Sequence, residues 1–157
     1  MKKNILVCTL AVFVAVGCAH DKYGPRGGSD PARPKVDVVK DLITVSPEIL
    51  VFGPEARRDV VWSLPAESKL TFPDDGIVIE GRLVDELVKG AEKVSVVLDT
   101  KQTEIVNCRV VPETSRKQYT CQNRYTMTGV YKYTIRVQDE QKKTFHLDPN
   151  WVNTPAK

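Results

Sequence analysis

From Val36 onward apolar and polar residues alternate in short runs, and turn-favouring residues interrupt those runs every eight to twelve positions. A chain punctuated in this way cannot sustain long helices, and the spacing predicts an all-β fold, a single antiparallel β-sandwich. Alternation is clearest at Tyr131, Tyr133, Ile135 and Val137, which share one face, whereas Lys132, Thr134 and Arg136 share the other. The first set is expected in the core and the second in water. Candidate strands cover residues 42–46, 49–52, 59–64, 69–72, 76–80, 94–99, 104–111, 118–123, 129–137 and 143–147.

Two connections can be argued from their residues. Pro73-Asp74-Asp75-Gly76 carries a preset first turn angle and a glycine that accepts positive φ, so a tight hairpin turn is expected there. The second hairpin joins 104–111 to 118–123 through the polar stretch 112–117. If it is centred between Thr114 and Ser115, Cys108 stands opposite Cys121. Opposed residues in an antiparallel pair have Cβ atoms about 4.5–5.5 Å apart, close to disulfide range. A redox pair would favour adjacent cysteines such as C-x-x-C, so a structural bridge is expected. One stretch breaks the β pattern: Leu83, Val84, Leu87 and Val88 recur at helical spacing before Gly90, with Asp85 and Lys89 set for an i,i+4 pair. One short helical connection is expected there, with a continued strand as the alternative.

The N-terminus is of a different kind. Lys2 and Lys3 precede an apolar run from Ile5 to Val16, and Gly17 follows it, the layout of a secretory signal peptide over residues 1–17. A spanning helix needs roughly 20 apolar residues, so this run is too short for a permanent anchor. Ala15-Val16-Gly17-Cys18 resembles the lipobox of bacterial lipoproteins. The resemblance implies cleavage before Cys18, diacylglycerol on its thiol and acylation with fatty acid such as palmitate. Ala19, where that family uses Asp for inner-membrane retention, implies the outer membrane of a two-membrane cell, facing the periplasm. On this reading Cys8 leaves with the signal and Cys18 takes the lipid. Cys108 and Cys121 remain in an oxidising compartment, where a disulfide persists.

Residues 18–35 then form the lipidated cysteine and a flexible tether, since glycines, prolines and charges from Ala19 to Lys35 leave too little apolar surface to fold. The sandwich is expected over 36–152 and a C-terminal tail over 153–157. Trp151, between Pro149 and Pro155, either packs back over the sandwich or stands free for a partner. The balance of 23 basic and 20 acidic residues excludes the strong cationic excess of a nucleic-acid binder.

Thr128-Gly129-Val130-Tyr131-Lys132-Tyr133 resembles the Gly-x-Tyr-x-Cys/Tyr strand of immunoglobulin-like sandwiches, with Tyr133 where antibody domains carry cysteine. The resemblance implies a corner hydrogen bond from Tyr131 and core packing by Tyr133. Trp62, alternating with Val60 and Leu64, resembles the inner-sheet tryptophan of such folds.

Chemistry is sparse. The two histidines are His20, in the tether, and His146, beside Asp148 but without a Gly-x-Ser-x-Gly elbow. Cys121 and Met127 faintly resemble a cupredoxin ligand loop, yet no histidine lies between them, and no metal or cofactor is expected. Gly27-Gly28 neither follows a strand nor opens a convincing helix, so no phosphate loop is expected. The expected function is that of a non-enzymatic, membrane-anchored envelope lipoprotein that binds or scaffolds another envelope protein, and no nucleic acid. Lys132, Thr134 and Arg136 form the candidate interaction face. A periplasmic small-ligand or metal-binding protein, or a hydrolase using His146, is the alternative.

Overall fold

A computed structural model of the protein describes residues 30–56, 58–87 and 94–155. The expected signal peptide, Cys18 and the tether as far as residue 29 lie outside the described residues, as do 88–90 of the helical stretch. The strands are β1 Lys35–Val39, β2 Leu42–Ser46, β3 Ile49–Phe52, β4 Asp59–Ser63, β5 Ile77–Leu87, β6 Val94–Asp99, β7 Ile105–Val111, β8 Gln118–Asn123, β9 Gly129–Gln138, β10 Thr144–Leu147 and β11 Asn150–Asn153. They form two packed sheets. The first runs β2-β1-β4-β8-β7 and the second β3-β11-β9-β5-β6, with β10 also on β9. Two pairings, β1 with β4 and β3 with β11, are parallel rather than antiparallel. Parallel neighbours need long connections, and β3 meets that need because nearly the whole domain separates it from β11.

Alternation explains the core. Leu50, Phe52, Trp62, Tyr119, Tyr131, Tyr133, Ile135 and Trp151 point inward and are at most 1% exposed. Trp62 lies 5.7 Å from Tyr133 and 6.0 Å from Trp151, and Trp151 lies 4.8 Å from Phe52, so aromatic rings fill the space between the sheets. Trp151 therefore packs inside and does not stand free.

Four expectations need correction. The helical stretch is strand as far as Leu87, pairing with β6 from Arg82↔Asp99 to Leu87↔Val94. Among the described residues the helical element is instead a 3-10 turn, Pro112–Thr114, at the tip of the β7–β8 hairpin. Residues 69–72 do not form a hairpin strand. Thr71 makes one bridge to Gln138, and the Phe72 N–H donates to the Arg116 carbonyl, so this segment crosses between the sheets. The turn itself is present, with the Gly76 N–H donating to the Pro73 carbonyl at 3.0 Å, but Gly76 does not use the expected positive φ; a Cβ there would instead come 2.9 Å from the Tyr119 ring. The fold also begins before residue 36 and continues past residue 152, since Asn153 ends β11, buried, and the Thr154 N–H donates to the Phe52 carbonyl, so the expected tail over 153–157 is docked at its start. Ala32 is 2% exposed, and the Ala32 and Pro34 carbonyls accept hydrogen bonds from the Val61 and Ser63 N–H groups.

Cys108 is bonded to Cys121, with Cα atoms 4.1 Å apart. The ladder from Arg109↔Thr120 to Val111↔Gln118 has the expected centre, and it shifts only beyond the bridge, between Val106 and Arg109. Asn107 sits in that bulge with φ 54°.

Buried polar groups join the two sheets. Asn123 on β8 and Asn153 on β11 exchange two side-chain hydrogen bonds, at 2.8 and 3.1 Å, and the Trp151 indole N–H donates to Asn153. Glu104, only 3% exposed, accepts from the Thr126 N–H, the Thr126 hydroxyl and the Met127 N–H, holding the crossover from β8 to β9. Burial opposes ionisation of Glu104. These hydrogen bonds, with Arg124 nearby, outweigh it and hold the carboxyl below the ordinary glutamate range.

Candidate interaction face

Lys132, Thr134 and Arg136 all lie on the outer face of the second sheet, opposite the buried tyrosines of β9, but their surroundings differ. Arg136 is tied to Asp75, with Nη1 2.6 Å from Oδ2. Thr134 is only 5% exposed, because its hydroxyl sits between the carboxylates of Glu80 and Asp148, the latter at 2.8 Å. One hydroxyl has one proton to donate, so it satisfies one carboxylate at a time. Lys132 stands between Asn150 on β11 and Gly81 on β5. Gly81 is required there: it follows the shift in the β5 ladder, has φ 153°, and a Cβ would come 2.4 Å from the Asp99 carbonyl oxygen.

The other half of this face is apolar, which reading the strands one at a time missed. Across the register, Val51 pairs with Val152, Val152 with Val130, Val130 with Leu83, and Leu83 with Leu98. All five side chains are on the outer face, forming one aliphatic row from edge to edge, about 19 Å across at the usual strand spacing. Val51 is 49% exposed and Leu98 37%, and Ile49 and Val96 flank the row at 52% and 64%. The sequence does carry a signal for it. Ile49-Leu50-Val51-Phe52, Leu83-Val84, Val130-Tyr131 and Trp151-Val152 are each apolar at consecutive positions, as in strands that cover both faces.

The face thus divides into an aliphatic band and a charged, hydrogen-bonded half. His146 is on β10, on the same outer face. It is exposed, opposite Arg136, and lines a groove of about 320 Å³ with Asp41, Leu42, Lys143 and Phe145. Among the described residues no three His, Cys, Asp or Glu side chains gather as metal ligands, and no helix is long and apolar enough to cross a membrane. Comparison with protein families, curated proteins and solved structures finds no match.

Proposed function

We propose that the protein is an envelope lipoprotein, held to the outer membrane through lipid on Cys18, whose immunoglobulin-like sandwich binds a second envelope protein without catalysing a reaction. The aliphatic row on the outer face of the second sheet carries this reading. A monomer gains little by leaving contiguous aliphatic side chains in water, and such patches mark interaction sites. Sequence features alone carry the anchor: the Ala15-Val16-Gly17-Cys18 motif and the short leader before it.

Strand order supports the immunoglobulin-like reading. β4, β8 and β7 take the places of strands B, E and D, and β11, β9, β5 and β6 those of G, F, C and C′. The Tyr131 hydroxyl donates to the Met127 carbonyl at 3.1 Å, as a corner tyrosine does. Burial, with the Glu104 charge nearby, pushes the Tyr131 hydroxyl up to about 12, so it stays protonated as a donor. Two features depart from antibody domains. Trp62 lies on β4 rather than the third strand, and the disulfide joins neighbours within one sheet.

Palmitate labelling in growing cells is expected to mark the wild-type protein and to miss Cys18→Ala. Equal labelling of both would overturn the anchor. In-cell crosslinking is expected to recover a discrete envelope protein with the wild type and to lose it with Val130→Lys. Unchanged capture by that variant would overturn the binding face.

A further inference from the structure

We infer that β6 is a pairing edge for a second copy of this chain, the two β6 strands running antiparallel about a two-fold axis. This goes beyond the binding of a different protein proposed above and does not depend on the lipid anchor. The edges of the two sheets are treated differently. β7 is bulged at Asn107 and tied to β8 by Cys108–Cys121. β3 has four residues, with Pro47 just before it and Pro54 soon after. β2 lies alongside β10, where Lys143 pairs with Asp41 at 2.8 Å. Short strands, prolines, bulges and charges are the devices that keep an edge from recruiting another strand. β6 has no proline and no bulge, and its one charge is at its end. Its sequence is Val-Ser-Val-Val-Leu-Asp, six residues free of proline, lysine and glycine, and among the described strands it occupies the end of its sheet. Val96 on this edge is 64% exposed.

The placement of residues selects the occupant. Asp99 is the one charge on the strand and sits at its end. Parallel pairing of two copies in register would set Asp99 beside its mate. Antiparallel pairing centred on Val96 separates the two by six positions, about 20 Å at the usual rise per residue. Only a register that pairs residues of like parity keeps the two outer faces on one side, because directly opposed residues in a ladder point the same way. Centring on Val96 meets that condition: Val96 faces Val96, and Leu98 faces residue 94 of the mate. The two Leu98 residues then lie four positions apart along the seam, about 13 Å, so the two aliphatic rows are offset and meet through the central Val96 pair on one ten-stranded sheet. The same strand serves both copies, as a closed two-fold interface requires.

Sedimentation of the purified full-length protein, with the detergent contribution subtracted, tests this directly. The wild type is expected to move from one chain to two as concentration rises. Val96→Lys and Val96→Glu, each checked for a wild-type circular dichroism spectrum, are expected to weaken self-association by about tenfold or more, because each sets like charges face to face. An equimolar mixture of the two variants is expected to restore the dimer. A wild type that stays monomeric throughout, a Val96→Lys protein that dimerises like wild type, or a mixture that remains monomeric would each overturn the inference. Because the assay contains neither lipid label nor partner, its failure is distinguishable from failure of the envelope-binding reading.

Discussion

On the outer face of the first sheet Val61, Thr120 and Arg109 stand side by side across β4, β8 and β7. On the second sheet the corresponding kind of row is Val51, Val152, Val130, Leu83 and Leu98. The inner faces show no such contrast, since each must be apolar for the sheets to pack. Folding places no such demand on an outer face, so its chemistry reports what else the surface meets. The two sheets are also secured differently: the first has a covalent tie between β7 and β8, and the second ends, among the described strands, in β6 with no such tie.

Removing the tie is the most disruptive way to level this difference. Cys108→Ser with Cys121→Ser is expected to cost about 3 kcal/mol, read as a lowered denaturation midpoint under non-reducing conditions. Amide exchange should show β7 and β8 losing protection before β5 and β9; equal loss in both sheets would contradict separate anchoring. Asn153→Ala attacks the joint between the sheets. It leaves Asn123 and the Trp151 N–H without their buried partner, and about 2 kcal/mol of stability should go with it.

Glu104→Gln is expected to cost about 1 kcal/mol at neutral pH, because the crossover loses the charge that its donors face. Glu104 is held below its ordinary range in the fold. Its contribution is therefore present above the unfolded value and disappears as pH falls through the folded one. The gap between variant and wild type should close in that acidic window, and a gap that widens there would be the wrong sign. The smallest effect on stability separates the two faces best. Val51→Thr with Val152→Thr, and Val61→Thr on the other sheet, should each shift stability by no more than about 0.5 kcal/mol. Only the first pair should reduce partner capture.

The outer row also explains where the sequence misleads. Four strands were legible to the residue: 42–46, 49–52, 94–99 and 118–123 match β2, β3, β6 and β8. Leu83 and Val84 read as helical because one faces the outer row and the other faces inward, and a strand apolar on both sides imitates helical spacing. The candidate interaction face was legible only as its charged half, since the aliphatic half comes together through register between distant strands. β11 escaped notice because Asn153, a polar residue, is the one buried at its end. β1 follows directly on a proline-rich stretch that reads as tether.

The parallel pairing of β3 with β11 sets an order on the life of the chain. Ile49 faces Asn150 about a hundred residues later, so during synthesis β3 is made early and waits without its neighbour until the last strand emerges. Contacts that span most of a chain slow folding, because a long loop must close before they form. Leu50 and Phe52, fully buried in the finished fold, lack their neighbours on β11 for that whole interval, and Pro47 and Pro54 on either side then act as guards of the nascent chain as well as of the finished edge.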